Sequence, residues 1–425
     1  MKSLSKTLVV MILLILSGLS PIALSQTFPI LQGATDESSA EFTLQIPAEK
    51  EIEILIRDQS GKEIPLSWEK RVNVEGTEKA LVKFKVHSLE VNQSYSLTVR
   101  GPAGEDLDER EFQSLNTNKR FPKVVLASCM VDWIHNPRIW DQMAKITPDL
   151  ILFIGDSTYV DVGHLFDLLS RPKVDEVSHW KRFSDTRERL AVFRWKKLKP
   201  ILALPDDHDF GYNNADSSFR LKDKANFVFQ QFFAQTDLGS DFASGPGNSL
   251  YKKISGVSFV LLDGRNFRSS EQMFSPDQMN WISSLPLEPK TLLVSGTQFF
   301  GKYLKKDSFE GDRPEAFKVF LEELKNLPSH FSFASGDVHF SEAMSFFDPS
   351  LEYETFEITS SSVHSFTMPG RYILLPLNPR RVPGKVTSTH NFVILQWDRD
   401  NREIFTARSH GWRGQNLFEC ELLLK

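Results

Sequence analysis

Acidic, histidine and cysteine side chains follow directly after short apolar runs at several places in this 425-residue chain. The clearest example is the run 150–154, which leads into Gly155 and Asp156. An uninterrupted apolar run of this length is typical of a strand that is buried on both faces of a helix-covered sheet. In such sheets the reactive groups lie just beyond the carboxyl ends of the strands. The pattern therefore predicts that Asp156 faces a binding site.

The same arrangement recurs along the chain. The other apolar runs end in Cys129, in Asp207 and His208, in Asp263 and Arg265, in Gln298, and in Asp337 and His339. If the strands share one sheet, these groups converge on one edge. Carboxylates gathered in this way repel one another, so a cluster with this many acids needs cations.

The chemical types of these side chains indicate which cations they suit. Carboxylates and a phenol are hard ligands, imidazole is borderline and thiolate is soft, a mixture that suits two or more metals of different character. A thiolate with a phenolate favours ferric iron, whereas an all-oxygen neighbour favours calcium. Multinuclear sites of this kind catalyse in-line attack on phosphate esters. The residue types therefore point to a metal-dependent hydrolase.

The elements that position these groups fall into two regions. Residues 26–118 alternate between apolar and polar at 41–46, 51–56, 81–86 and 94–99, which predicts a small β-sandwich domain of the immunoglobulin or fibronectin kind. From residue 119 to 425, strands alternate with helices, which indicates an α/β domain, and the late strands near 355–358, 392–396 and 403–408 are predicted to form a second sheet. Helices are predicted at 137–143, within 165–198, at 219–233 and after the capping box that begins at Ser275. The proline-rich segment 369–383 is predicted to be a long loop.

Composition and the N-terminal segment limit the partners and the location. A net charge of −5 is too small to indicate a nucleic-acid partner. Residues 1–25 combine Lys2 and Lys6 with an apolar stretch and a small-residue cleavage site, which predicts a signal peptide. We therefore expect a periplasmic or secreted monomer that has no stable membrane span after cleavage. In an oxidising compartment, Cys129 and Cys420 either pair or stay free, and the count alone leaves this open.

Five motifs in order carry a family resemblance. They are Ser-Cys at 128–129, Gly-Asp-x-x-Tyr-x-Asp at 155–161, Asp-Asp-His-Asp-x-Gly-x-Asn at 206–213, Asp-x-Arg-x-x-Arg at 263–268 and Gly-Asp-x-His at 336–339. This set resembles the PhoD-like (alkaline phosphatase D) family, a branch of the calcineurin-like metallophosphoesterases. The resemblance covers residues 121 to about 408, and the sandwich in front resembles the N-terminal domain of the family. The resemblance implies a calcineurin-like α/β sandwich fold. It also implies that the protein is an exported, metal-dependent alkaline phosphatase or phosphodiesterase that hydrolyses phosphate monoesters or diesters.

The resemblance also implies roles for individual residues. The implied metal ligands are Cys129, Asp156, Tyr159, Asp207, Asp337 and His339. Cys129, Asp156 and Tyr159 would bind Fe3+, and Asp156 would bridge to Ca2+. His208 would protonate the leaving oxygen or steady the transition state, and Arg265 would hold the phosphate oxygens.

Two other functions remain open from the residues. Gly155-Asp156-Ser157 spells the motif of a serine esterase, in which Ser157 would be the nucleophile. That chemistry would leave Cys129 and Tyr159 unexplained. The chain is alternatively a catalytically inactive surface-binding protein that uses its β-sandwich for adhesion.

Overall fold

The computed structural model describes residues 27–170, 172–236, 241–301, 307–367 and 378–425. The predicted signal peptide and most of the predicted proline-rich loop lie outside these ranges. The strands are β1 Ile30–Thr35, β2 Ala40–Pro47, β3 Glu53–Arg57, β4 Glu63–Ile64, β5 Leu66–Val74, β6 Lys79–Val86, β7 Ser94–Arg100, β8 Asp106–Gln113, β9 Lys123–Ala127, β10 Leu150–Ile154, β11 Ile201–Leu204, β12 Phe242–Ser244, β13 Leu250–Ile254, β14 Val257–Leu261, β15 Lys290–Val294, β16 His330–Ser335, β17 Ser341–Asp348, β18 Tyr353–Thr359, β19 Arg381–Thr387, β20 Asn391–Asp398, β21 Asn401–Gly411 and β22 Asn416–Leu423.

Helices are present in all four predicted regions, whereas those at 207–210, 309–312 and 314–325 were not predicted. The helices are α1 Pro137–Ile146, α2 Asp167–Ser170, α3 Glu176–Arg189, α4 Asp207–Phe210, α5 Lys222–Phe232, α6 Pro276–Ser284, α7 Phe309–Asp312 and α8 Pro314–Lys325, with 3-10 turns at Asp132–Ile134 and Ala191–Arg194. The capping box at the start of α6 is present, because Ser275 accepts a hydrogen bond from the backbone of Gln278 and Gln278 caps Ser275 in return. No helix in these ranges is long and apolar enough to cross a membrane.

The first eight strands form two antiparallel sheets that pack face to face. Their orders are β1-β2-β6-β5 and β4-β3-β7-β8 within the described part of the chain. Alternate residues of the facing strands fill a shared core, in which Phe42 stacks on Phe84 and meets Phe112 edge to face. This arrangement is the predicted β-sandwich.

The strands that end in candidate site residues belong to two sheets, so the expectation of one shared sheet is wrong. In the described residues, one sheet has the order β11-β10-β9-β20-β21-β22 and the other has the order β12-β13-β14-β15-β16-β18-β17-β19. Strands β9, β10 and β11 run parallel, as do β14, β15, β16 and β18. A strand's apolar run indicates burial on both faces but does not identify the sheet that it joins.

The two central sheets lie between two layers of helices. Leu126 and Leu292 lie in the core between the sheets, whereas Val125 points outward to the core that includes Trp140 of α1 and Phe183 of α3. Helices α6 and α8 cover the outer face of the second sheet. Both faces of these strands are therefore buried, which explains their uninterrupted apolar runs. The predicted α/β class is confirmed.

The two sheets are in close contact where β10 and β16 end. A Cβ atom on Gly336 would lie 2.6 Å from the carbonyl oxygen of Ile154 and 2.8 Å from the side chain of Ser128. Only glycine fits in this space. The residues that follow β9 and β10 in one sheet therefore meet those that follow β16 in the other.

Candidate metal centre

The candidate ligands converge at this shared rim. Cys129 follows β9, Asp156 follows β10, Asp207 follows β11, and Asp337 and His339 follow β16. Backbone hydrogen bonds join the loops, since the amide of Cys129 donates to the carbonyl of Gly155 and the amide of Gly336 donates to the carbonyl of Gly296. The predicted convergence is present for these residues, although it is built from two sheets. Asp263 and Gln298 were predicted to join them but are engaged elsewhere, Asp263 by Asn248 and Asn266 and Gln298 by Glu342 and Thr359.

Several of these residues have an unusual backbone conformation. The φ angles of Cys129, Asp156, Asp337 and His339 are 55°, 53°, 62° and 57°, in the left-handed region that residues other than glycine rarely adopt. Such conformations cost about 1–3 kcal/mol each and persist where the surrounding structure enforces them, often at functional sites. Their concentration at one rim marks this rim as the candidate site.

One side of the site brings together a thiol, a phenol and a carboxylate. The Sγ atom of Cys129 lies 3.6 Å from Oδ2 of Asp156, and the hydroxyl of Tyr159 donates to the same oxygen at 3.2 Å. Ligand atoms of Cys129, Asp156 and His339 all lie within 4.8 Å of one another. Burial, and then the charge of Asp156, raise the pKa values of both Cys129 and Tyr159 well above their ordinary values. A cation between them would reverse this effect, because it stabilises the thiolate and the phenolate.

The other side of the site is made of carboxylates. Ligand oxygens of Asp156, Asp206, Asp207 and Asp337 lie within 4.8 Å of one another. Burial, followed by the charge of Asp207, raises the pKa values of Asp156 and Asp337 well above the ordinary value. Burial alone would raise the pKa of Asp207 too, but the neighbouring Arg265 holds it below its usual range. These carboxylates therefore repel one another in the absence of a counter-charge.

Arg265 supplies part of that counter-charge. Its guanidinium is 1% exposed, and its Nε donates to Oδ1 of Asp206 at 2.5 Å. One of its Nη atoms donates to the hydroxyl of Thr297 at 3.1 Å and lies 3.8 Å from Oδ2 of Asp207. The arginine is thus held against the base of the carboxylate cluster.

His208 lies beside the carboxylates and is oriented by Asp161, a residue to which the sequence reasoning gave no role. Nδ1 of His208 lies 2.6 Å from Oδ1 of Asp161, and the phenol ring of Tyr159 stacks on the imidazole at 4.3 Å between ring centres. Asp161 is itself held by the backbone amide of Asn213 at 3.2 Å. Burial disfavours the charged imidazole, but Asp207 and Asp161 outweigh it and raise the pKa of His208 well above its ordinary value. Asp161 is the last residue of the Gly-Asp-x-x-Tyr-x-Asp motif, and this position is the feature of the sequence that could have indicated a role for it.

The residues present fit the metals that the family resemblance implies. The thiol, phenol and imidazole side of the site offers ligands of the kind that iron accepts, and the all-carboxylate side offers the oxygen ligands that calcium prefers. In addition, Oδ2 of Asp206 is buried and has no hydrogen-bond partner among the described residues. An unpartnered buried carboxylate oxygen is costly unless a cation or a donor meets it.

The geometry disfavours both the serine esterase and a disulfide between Cys129 and Cys420. The hydroxyl of Ser157 donates to Oδ1 of Asp209 at 2.7 Å, while the nearby imidazole of His208 is engaged by Asp161. Ser157 therefore lacks the serine–histidine hydrogen bond that a serine esterase needs. The two cysteines are both free: Cys129 lies in the site, and Cys420 lies in β22.

Comparisons with known proteins identify the fold. No model of a known protein family matches the chain, and no curated protein matches its sequence. A solved structure of PhoD superposes on it with a TM-score of 0.70, covering 95% of this chain and 90% of that one at 16% sequence identity. This likeness includes both the β-sandwich and the central sheets, because it spans nearly the whole length. The chain therefore has the fold of PhoD, as the motif resemblance predicts.

Proposed function

We propose that this protein is a metal-dependent hydrolase of phosphate monoesters or diesters. The observation that carries the proposal is the meeting of Cys129, Asp156 and Tyr159 with a carboxylate cluster and an oriented histidine at one rim. The PhoD fold around this rim supports the same reaction class. Fold alone does not identify a substrate, so the proposal depends on the chemistry of the site.

Two groups of residues would hold the cations. Cys129, Asp156, Tyr159 and His339 would hold Fe3+, and Asp207 and Asp337 would hold Ca2+ with Asp156 shared between the two. Bound cations in such a pair activate an attacking water and stabilise the charge that develops on the phosphate oxygens. The raised pKa values of Cys129 and Tyr159 are consistent with side chains that ionise only when a cation is present.

His208 is proposed to protonate the oxygen of the departing alcohol. Because Asp161 accepts the proton of Nδ1, the ring is fixed with Nε2 as the atom that is left to donate. The stacked ring of Tyr159 restricts rotation of the imidazole. Arg265 is proposed to hold the phosphate oxygens, as the motif resemblance implies. Its Nε and one Nη are engaged by Asp206 and Thr297, so the contact would come from the other Nη, which lies 3.5 Å from the carbonyl of Ala215.

Further proposals concern the domains of the protein, its oligomeric state and its cellular location. We propose that residues 26–118 form an accessory domain, that residues 119–425 carry the catalysis, and that the protein acts as a monomer after export through residues 1–25. N-terminal sequencing of the protein from the periplasm and the culture medium tests the export. A mature chain that still begins at Met1 would contradict it.

The function is tested by assaying p-nitrophenyl phosphate and bis(p-nitrophenyl) phosphate before and after treatment with EDTA. We expect hydrolysis of at least one ester, its loss on chelation and its recovery on adding Ca2+. Asp398→Asn serves as a matched control, because Asp398 pairs with Arg120 at the opposite end of β9 and should leave activity unchanged. Hydrolysis that survives chelation, or none with fully metal-loaded protein, would refute the proposal.

A further inference from the structure

Asp206 is a buried acid that the motif resemblance leaves without a role. Its side chain is 1% exposed, and it lies directly before Asp207 in the turn that follows β11. Its two carboxylate oxygens have very different surroundings. Oδ1 accepts from Nε of Arg265 at 2.5 Å and from the hydroxyl of Thr297 at 3.4 Å, whereas Oδ2 has no hydrogen-bond partner in the described part of the chain.

The backbone around Asp206 forms a close-fitting cradle for this side chain. A Cβ atom on Gly155 would lie 2.6 Å from Cβ of Asp206, and one on Gly296 would lie 2.4 Å from its Cγ. The segments that follow β10 and β15 therefore both pack against the side chain of Asp206, and a side chain on either glycine would collide with it. With Oδ1 held by Arg265 and Thr297, the cradle leaves little freedom in where Oδ2 points.

The carboxylate of Asp206 belongs to the carboxylate cluster. Ligand oxygens of Asp206, Asp156, Asp207 and Asp337 all lie within 4.8 Å of one another. Four carboxylates offer the hard, anionic oxygens that a divalent cation such as Ca2+ prefers. A carboxylate that served only as the counter-ion of Arg265 would need no second oxygen buried beside three other acids.

We propose that Asp206 is a further ligand of the hard cation, which it contacts through Oδ2 while Oδ1 remains bound to Arg265. This inference rests on the proposed function, since it assigns one more ligand to the same centre. It also gives Arg265 a second role, because the arginine holds Asp206 in the orientation that presents Oδ2. Asp206 then connects the arginine at the base of the site with the cation above it.

The variant Asp206→Asn separates this role from a purely structural one. An asparagine oxygen still accepts from Arg265, but the variant lacks one negative charge and the free carboxylate oxygen. In the metal-stripped protein the variant loses the buried charge pair with Arg265 and also one source of repulsion among the carboxylates, so the informative quantity is the rise in Tm that Ca2+ produces, which we expect to be smaller than in the wild type. For Ca2+ binding we expect the Kd to rise by about tenfold or more, since ligand charge and number set such affinities.

The measurements are calorimetric titration of the metal-stripped full-length protein with CaCl2 and thermal unfolding with and without Ca2+. Asp209→Asn is the matched control, since Asp209 is buried in the same turn but its oxygens already accept from Ser157, Thr158 and the amide of Asp206. That variant should lose stability with and without Ca2+ and keep the wild-type Kd. The inference is overturned if Asp206→Asn binds Ca2+ as wild type does, or if Ca2+ raises the Tm of the variant as much as it raises that of the wild type. Wild-type protein that binds no Ca2+ would instead refute the proposed function itself.

Discussion

The hydrogen bond between His208 and Asp161 gives the sharpest mechanistic prediction. Asp161→Asn replaces the carboxylate with an amide of the same shape, so it removes the charge and the strong acceptor of the Nδ1 proton. The two atoms lie 2.6 Å apart and both side chains are mostly buried, at 13% and 10% exposure. A hydrogen bond to a charged group contributes about 1.5–3 kcal/mol. Because each 1.36 kcal/mol is a factor of ten in rate, kcat should fall by about 10- to 100-fold if the whole contribution is expressed in the transition state.

A comparison of substrates with different leaving groups shows whether the loss of kcat results from impaired proton donation. A p-nitrophenolate departs readily without a proton, whereas a phenolate with no nitro group depends more on a general acid. We therefore expect Asp161→Asn to reduce the hydrolysis of diphenyl phosphate more than that of bis(p-nitrophenyl) phosphate. The bound metal, measured by mass spectrometry, should stay at the wild-type level. The double variant Asp161→Asn, His208→Ala should be no slower than His208→Ala alone, since residues that act as a unit are not additive.

Three results would refute this reasoning. The first is an equal loss for both diesters, which would mean that Asp161 does not act through proton donation. The second is a large loss of bound metal, which would make Asp161 a support of the metal centre. The third is a double variant whose loss is the product of the two single losses, which would separate Asp161 from His208.

The remaining predictions address the histidine, the thiol and a buried acid outside the site. His208→Ala should lower turnover by about 100- to 10,000-fold while metal content stays constant, and a large metal loss would show that its role is misassigned. Cys129→Ser should abolish iron binding and any iron–thiolate or iron–phenolate absorption band, and a retained band would contradict the ligand assignment. Burial raises the pKa of Glu357 to about 7 from an ordinary value of 4.5, so only the folded state holds its proton between these values. The stability contributed by this proton is present below pH 4.5 and is lost as pH rises through 7. Urea unfolding across that window should show wild type losing about 3 kcal/mol relative to Glu357→Gln, and parallel pH profiles would contradict the assignment.

The positions where the strands of the site end could be predicted from the sequence, because they depend on the residues of each strand itself. A strand with helices or another sheet on both faces must be apolar throughout, and Leu150–Ile154 is buried at every position. The side chain that follows such a strand, here Asp156, then stands at the sheet edge. The start of α6 could be predicted for the same reason, since the hydrogen bonds of its capping box join residues that are three apart in the chain.

The division into two sheets could not be predicted from the same patterns. The prediction that the late strands form a sheet of their own is wrong, because β18 pairs with β16 and β20 pairs antiparallel with β9. An apolar run carries no information on which strand becomes its neighbour. The segment predicted as a loop at 369–383 also ends within β19, whose residues are mostly half-buried or exposed and show no apolar pattern.

Polar strands of the β-sandwich were missed for a related reason. In β5, Val74 is the fully buried residue, and the rest of the strand, which includes Lys70 and Arg71, is exposed or half-buried. Its pairing with β6 gives it a place in the sheet, but that pairing depends on backbone hydrogen bonds, which any residue except proline can form.

The roles of Asp161 and Asp206 required the three-dimensional arrangement. Both residues stand inside motifs that the sequence displays, at 155–161 and 206–213. The hydrogen bond of Asp161 to His208 joins residues 47 positions apart, and that of Asp206 to Arg265 joins residues 59 positions apart. Residue type and spacing predicted the candidate site, whereas the partner of each acid became visible only in the folded chain.

The central claim is that the side chains at this rim are held together by cations. The direct test is elemental analysis of the wild-type protein, purified without chelators, by inductively coupled plasma mass spectrometry. The account predicts about one equivalent of iron together with bound calcium, both retained through gel filtration. Protein that is folded and carries neither metal, even after incubation with Fe3+ and Ca2+, would contradict it.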